Sequence, residues 1–395
     1  MQHVRLPPDA AARVEAGYPV VLRDWLGGRQ RLTLAGEAVA LVDSRGQFLA
    51  SAFGDSDERV AYRIFSRQER DRLDQDWMAA ALTRAATLRR GFIDPAVTDA
   101  YRLVHAEADG LPGLAVDVYG PFLLVQVYSS GVSAFLQPFL EVLQQVHHPE
   151  GIYLTDRASG PDASRKTESR ARKVRGENTP PAFTVREAGV RFVVDLGGGY
   201  NTGLFLDNRE NRLALRRHVR GRRVLNLFCY TASISVHAAL AGAASVHSVD
   251  TSARILDWAG RNFAENGVSP DDHPLIHADA LEYLRKGSHR GSLYDVIVLD
   301  PPSFSTSKKN VFSAAKDYPS LVSLAIEVLS PGGTLVCASN HHKTPSERFL
   351  ADIAAVARRQ RRPMKLLEFH GAGPDFPIEL AYPEGQYLKF AVLSG

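Results

Sequence analysis

Val224-Leu225-Asn226-Leu227-Phe228 runs straight into Cys229-Tyr230-Thr231-Ala232-Ser233, and the reading of this passage decides the fold. Its first half is apolar at nearly every position, as a strand covered on both faces must be, and a helical pattern follows the second half. The same alternation recurs downstream. Strands are expected at Val224–Phe228, Ser245–Asp250, Pro274–Ala278, Tyr294–Asp300, Thr334–Ser339, Lys365–Phe369 and Tyr387–Leu393. Helical patterns lie between them; in Ala253–Asn266, for example, Ile255, Leu256, Ala259 and Phe263 share one face. Repeated βα units build a mostly parallel sheet with helices on both faces and right-handed crossovers. The fold class read here is therefore α/β. Ligands of such sheets sit beyond the carboxyl ends of the strands, and chemistry is to be sought there.

Upstream the texture changes twice. Residues 1–70 carry short alternating runs such as Ala38–Asp43 and Phe48-Leu49-Ala50 around a turn at Ser44-Arg45-Gly46, which read as hairpins of a β-rich module. Pattern alone leaves open whether that module binds something or only pads the remainder. Residues 71–190 read as an α+β unit: a helix near Asp76–Arg89, a strand at Tyr101-Arg102-Leu103-Val104, and a turn at Asp109–Gly113. Strands Leu114–Tyr119 and Phe122–Tyr128, a helix Ala134–Val146 and a strand Gly151–Thr155 follow. The polar stretch Asp156–Pro181 is then expected to be a mobile hairpin or loop. Its cations, among them Arg165, Lys166, Arg170, Arg172 and Lys173, suit either a solvated loop or an arm that contacts phosphates. Residues 191–395 form the third region, that of the βα units.

The totals exclude several classes. A chain of 395 residues with 45% hydrophobic and 23% charged residues is ordinary for a globular protein. A net charge of +3 is compatible with nucleic-acid binding but does not argue for it, because that depends on clustering. Two cysteines, Cys229 and Cys337, make no disulfide framework and no metal-ligand spacing, so no metal is expected. No apolar run approaches the roughly 20 residues that span a bilayer. The chain reads as cytoplasmic, without a membrane partner.

The strand ends carry the chemistry. Asp250 ends the second strand of the third region, where an acidic side chain can accept from both ribose hydroxyls of an adenosine cofactor. Thr251-Ser252 also lets it serve as an ordinary helix cap. A nicotinamide dinucleotide needs a Gly-x-Gly-x-x-Gly turn so that backbone can approach the pyrophosphate, and no glycine occurs between Asn226 and Ala241. This favours a cofactor without phosphate, such as S-adenosylmethionine. Asp279 and Ala280 fit as well: a carboxylate near the adenine amino group beside a small residue that leaves room for the ring. Leu299-Asp300-Pro301-Pro302-Ser303-Phe304 is the most specific feature, for two prolines hold the backbone extended and remove two amide donors. The freed carbonyls and Asp300 can face a sulfonium methyl and an acceptor base, with Phe304 as a stacking surface. A plain stiff turn is the alternative.

At these residues the chain resembles the Class I methyltransferases that modify bases of 23S ribosomal RNA. It is similar to the large-subunit cytosine-C5 family with an N-terminal PUA domain, and to the related guanine-N7 enzymes. The likeness extends over Tyr101–Gly113, Thr202–Arg209, Asn226–Thr231 and Tyr382–Lys389. Ala232 stands where glycine is usual. The resemblance implies a PUA-like RNA-binding module, a central α+β domain and a Rossmann-like Class I methyltransferase domain. It implies cofactor contacts from Phe205, Asp207, Arg209, Asn226, Phe228, Tyr230 and Thr231 beside Asp250, Asp279, Ala280 and Asp300. Its partner would be large-subunit ribosomal RNA or an assembly intermediate, contacted by Arg165, Lys166, Arg170, Arg172 and Lys173. The assembly state stays open, a homodimer included. A non-catalytic RNA-binding protein that kept the fold is the alternative from another class, and the intact set of Asp250, Asp279 and Asp300 argues against it.

The two branches divide over the base. Cytosine C5 is a poor nucleophile and needs a thiolate to add at C6. In the cytosine branch that thiol lies in a Phe-Ser-Cys-Ser pattern after Pro331-Gly332-Gly333, and here Asn340 occupies its place. Cys337 lies three residues earlier with opposite side-chain parity and reads as a core thiol. Ser339-Asn340-His341-His342-Lys343 and Asp300–Lys309 resemble the guanine-N7 branch instead, whereas Tyr382–Lys389 favours the cytosine branch. The expected catalytic residues are Asp300, Phe304 and Asn340, acting without a cysteine nucleophile; cytosine-C5 methylation through a cysteine is the alternative.

Overall fold

The computed structural model describes residues 1–27, 33–158, 170–199, 201–291, 293–302, 304–306 and 311–395, with 304–306 and 311–315 described by their backbone alone. The chain divides into two compact units. One comprises Met1–Val185, Asp195–Thr202 and Pro374–Gly385; the other comprises Arg186–Val194, Gly203–Gly373 and Gln386–Gly395.

The first unit holds two five-stranded sheets. One runs in the order Gln2–Arg5, Ala38–Val42, Phe48–Gly54, Val60–Ser66, Val20–Leu22. The expected hairpin turn is present: Asp43 Oδ1 accepts from the amides of Arg45 (2.8 Å) and Gln47 (2.7 Å), and Gly46 takes a φ of 86°. Helix Pro8–Glu15 packs Ala10, Ala11 and Val14 into the same core. The second sheet runs Arg172–Gly176, Gly151–Asp156, Phe122–Val127, Leu114–Tyr119, Ala100–His105. Helices Gln75–Arg90 and Leu136–His147 cover it with Met78, Leu82, Phe139 and Leu143. Arg63 joins the two sheets, its guanidinium 2.5 Å from both Asp55 and Glu107.

Of the two alternatives expected for the polar stretch, its C-terminal part takes the hairpin. Arg172–Gly176 pairs antiparallel with Gly151–Asp156 as an edge strand. Charged side chains at an edge deter pairing with other chains, and the same charges disguise the strand as a loop. Arg165 and Lys166 lie outside the described residues.

The second unit is built on a seven-stranded sheet in the order Leu275–His277, Ser245–Asp250, Arg223–Leu227, Tyr294–Leu299, Leu329–Ser339, Lys389–Ser394, Lys365–His370. The first five are parallel, and Lys389–Ser394 runs against both neighbours. Val224, Leu225, Val298 and Val336 are fully buried, which is why these strands read as continuous apolar runs. Strand order reverses between Arg223–Leu227 and Tyr294–Leu299, so a crevice opens beyond their carboxyl ends. A hairpin of Thr184–Glu187 and Val190–Val193 precedes the sheet. It is fastened to helix Ala253–Glu265, where Trp258 Nε1 donates to the Val193 carbonyl (2.8 Å) and the Val193 amide to Asn262 Oδ1 (2.8 Å). Among the described residues no helix is long and apolar enough to cross a membrane.

Candidate active site

The turn that leaves Arg223–Leu227 at the crevice is strained. Phe228, Tyr230 and Ala232 have φ values of 56°, 51° and 62°, in the left-handed region where a side chain costs roughly 1–2 kcal/mol. Such a turn persists only when its surroundings hold it on several sides. The Cys229 amide donates to Val249 O (3.0 Å) and the Tyr230 amide to Asp250 Oδ2 (3.1 Å). Thr231 Oγ1 donates to Gly203 O (2.6 Å), and Asn262 Nδ2 to Thr231 O (2.8 Å). Gly203 has no alternative, because a Cβ there would lie 2.2 Å from the Trp258 ring. Asn226 sits behind the turn, fully buried, with its Nδ2 donating to Ser235 Oγ (2.9 Å) at the base of the following helix.

Asp250 closes the second side of the crevice. Besides the Tyr230 amide it accepts from Ser252 N (3.0 Å), so it holds the residue that caps the next helix and braces the turn at once. Burial raises its pKa, against the pull of those amides. The third strand leaves alongside, with the Ala278 amide on Asp250 O (3.0 Å). Asp279 caps helix Ala280–His289 through the Glu282 amide (3.0 Å), and Ala280 is buried beneath it.

Asp300 follows the fourth strand, within electrostatic reach of Asp207. Burial, and then the negative Asp207, push Asp300 up to about 6, with Arg212 opposing. Asp207 also accepts from the Tyr387 hydroxyl at 2.6 Å. Arg212 lies fully buried with Glu187, which it meets with two nitrogens at 2.7 and 2.5 Å, and it donates to the Phe205 carbonyl (2.8 Å). Burial alone would raise Glu187, but Arg212 and the His237 ring hold it down at about 2. That network fixes Phe205, whose half-exposed ring leans on Tyr230 with centroids 5.2 Å apart. Arg209 is buried, its Nε 3.1 Å from Glu210.

This donor set suits S-adenosylmethionine. Asp207 and Asp300 repel one another, and a sulfonium or an ammonium placed beside them would relieve that repulsion. A phosphate would add to it.

On the remaining side, Phe304–Thr306 pairs with Val311–Ser313 in a short hairpin, Phe304 opposite Ser313. The Phe304 side chain, Ser303 and residues 307–310 lie outside the described residues. Asn340 is exposed directly beyond the fifth strand. Its neighbour His341 is held by the Lys389 ammonium, which donates to His341 O (3.1 Å) and Tyr387 O (2.8 Å). Both thiols are buried. Cys337 is fully buried in the core and burial pushes it up to about 12. Burial, and then Asp250, also raise Cys229.

The crevice therefore gathers Phe205, Asp207, Tyr230, Asp250 and Asp300, while Asn226 and Thr231 brace it from behind. Arg170, Arg172 and Lys173 belong to the other unit. Sequence reasoning missed Gly203, Arg212, Glu187, Tyr387 and Lys389. Gly203 stands inside the segment Thr202–Arg209 and the last two inside Tyr382–Lys389, which marked the neighbourhood without assigning these residues roles.

Residues 106–381 match the family model of the S-adenosylmethionine-dependent methyltransferases, and residues 4–67 match that of the PUA-like domain. The ribosomal RNA large subunit methyltransferase I of Shewanella amazonensis is 33% identical over 389 residues, 98% of this chain and 97% of that protein. Its namesake from Klebsiella pneumoniae is 34% identical over 358 residues, 90% of this chain and 88% of that protein. Among solved structures, SMU.776, a methyltransferase complexed with SAH, superimposes with a TM-score of 0.91 at 26% identity over the full length of both chains.

Proposed function

The chain belongs to the S-adenosylmethionine-dependent methyltransferase family, and from that premise we propose that it methylates a base of large-subunit ribosomal RNA without a cysteine nucleophile, with guanine N7 as the acceptor. The RNA follows from the names of the relatives. The cysteine-independent route rests on one observation: both thiols are buried, which pushes their pKa up, and Asn340 stands exposed at the strand end. A thiol becomes a nucleophile only as thiolate. Guanine N7 offers a lone pair and has no proton to lose, so alignment by Asn340, Asp300 and Phe304 suffices. The methylated base gains a positive charge, which the Asp300 carboxylate favours. Cytosine C5 is the second reading, favoured by the segment Tyr382–Lys389.

S-adenosylmethionine supplies an electrophilic methyl group. Asp250 would accept from its ribose hydroxyls, Asp279 beside Ala280 would meet the adenine, and Asp207 with Asp300 would face its cationic end. Phe205, Arg209, Asn226, Phe228, Tyr230 and Thr231 shape the remaining wall or brace it. In this reading residues 1–70 are the PUA-like RNA-binding domain, 71–190 a central domain whose Arg165, Lys166, Arg170, Arg172 and Lys173 contact phosphates, and 191–395 the catalytic domain, at work in the cytoplasm.

The double variant Cys229→Ala, Cys337→Ala tests the route. Methyl transfer persisting on large-subunit RNA is the expected result. Loss of transfer in a folded, cofactor-binding double variant, with a trapped adduct of the wild type on 5-fluorocytosine RNA, would overturn it.

A further inference from the structure

Three helices lie side by side on one face of the catalytic sheet: Ala280–His289, Ala314–Glu327 and Ser346–Arg359. Ser288 Oγ donates to Glu327 Oε2 (2.9 Å) between the first two, and Gln360 Nε2 to Ser323 Oγ (2.6 Å) between the last two. Each helix starts near the carboxyl end of a strand and runs back, so all three end at the amino edge of the sheet, away from the crevice. The first brings Arg285, Lys286 and Arg290 to that edge; the third brings Arg358, Arg359 and Arg361. All six are exposed.

The strand starts add to them. The Arg223 amide donates to Asp295 Oδ2 (2.9 Å) and Ser330 Oγ to Asp295 Oδ1 (3.0 Å), which ties the beginnings of three strands together. Exposed Arg220, Arg223 and Lys365 thereby share the edge. Arg362 fastens the corner by donating to the carbonyls of Ile326 (2.9 Å) and Leu329 (2.5 Å). Of the acids at this edge, Asp295 is engaged by the two bonds above and Glu327 by Ser288. Among the described residues none of these nine exposed cations forms an ion pair.

Cations at a helix C-terminus complement its dipole, but that effect fades within the last turn and leaves Arg220 and Lys365 unexplained, while Arg223 lies over the Tyr294 ring at 5.4 Å. Like charges massed on one edge repel one another, in a chain whose net charge is only +3. Eight of the nine are arginine or lie beside arginine, the residue whose planar fork matches phosphate oxygens. We propose that this amino edge of the catalytic sheet is a second phosphate-binding surface for the RNA, about 20 Å from the methyl-transfer crevice across strands of six residues. The proposal rests on the RNA reading above. It makes the substrate a folded RNA that reaches around the domain.

The test compares two triple variants, Arg285→Gln with Lys286→Gln and Arg290→Gln, and Arg358→Gln with Arg359→Gln and Arg361→Gln. The probe is a transcribed domain of large-subunit RNA, with binding measured as a function of salt. Each phosphate contact contributes about 0.7–0.9 to the logarithmic salt slope, so each triple variant should flatten it by about 2. The kcat at saturating RNA and the affinity for S-adenosylmethionine should stay at wild-type values. Wild-type slopes in both variants would overturn the surface and leave the RNA reading intact. Salt-independent RNA binding by the wild type would overturn both.

Discussion

Asp300 is the residue at which the electrostatics of the crevice can be read most directly. Its ordinary pKa of 3.8 has risen to about 6 through burial and the nearby Asp207. Keeping it ionised at neutral pH therefore costs the free protein roughly 3 kcal/mol. The sign follows from proton uptake. Between pH 3.8 and about 6 the folded protein holds a proton that the unfolded chain has lost. Asp300 thus lowers stability as pH rises through that window and has no further effect above it. A cationic ligand requires the ionised form, so affinity for S-adenosylmethionine should rise about fivefold between pH 5 and 6, about twofold more by pH 7, and level off above. Asp300→Asn should abolish that dependence, weaken S-adenosylmethionine at pH 7.5 by tenfold or more, and leave the free protein more stable above pH 6. Calorimetric titration from pH 5 to 8, with urea unfolding over the same range, measures both. A flat affinity profile in the wild type, or an Asn variant that binds as tightly, would refute the argument that the carboxylate pair is built for a cation.

Other consequences are as direct. Asp250→Ala removes a charged acceptor and should weaken S-adenosylmethionine by about 1.5–3 kcal/mol, measured by calorimetry; wild-type affinity would contradict its assignment to the ribose. Ala232→Gly should stabilise the fold by about 0.5–1 kcal/mol in urea unfolding, since release of left-handed strain exceeds the added entropy of the unfolded chain. A less stable variant would show that Ala232 is not strained. Lys389→Met removes the buried ammonium that holds His341 and Tyr387. It should lower kcat ten- to a hundredfold by loosening Asn340, with S-adenosylmethionine affinity changed less than threefold. An unchanged kcat would remove Lys389 from the account.

The catalytic sheet was legible because its strands are buried on both faces and bounded by helical patterns. Ser245–Asp250 matches residue for residue, and Leu114–Tyr119 in the other unit does so too. Arg172–Gly176 was legible only as a hairpin or a loop, without strand bounds, because an edge strand needs only backbone pairing and its charges resemble those of a loop. Helix Pro8–Glu15 was missed because it is short and follows Pro7, though Pro8 suits its first position. In the crevice, the carboxylates at strand ends were legible from position. Arg212, Glu187 and Tyr387 were not, because each acts through a partner remote in sequence: Glu187 lies 25 residues from Arg212, and Tyr387 lies 180 from Asp207. The strain at Phe228, Tyr230 and Ala232 leaves no local mark in the sequence, since none of the three is glycine.

The central claim is a cysteine-independent methyl transfer to large-subunit ribosomal RNA. Its most direct test is nucleoside mass spectrometry of that RNA from a strain lacking this protein, before and after the purified enzyme and S-adenosylmethionine are added. The account predicts one 7-methylguanosine that is absent in the deletion strain and restored by the enzyme, also by the Cys229→Ala, Cys337→Ala variant. Restoration of 5-methylcytidine by the wild type and not by the double variant would contradict it.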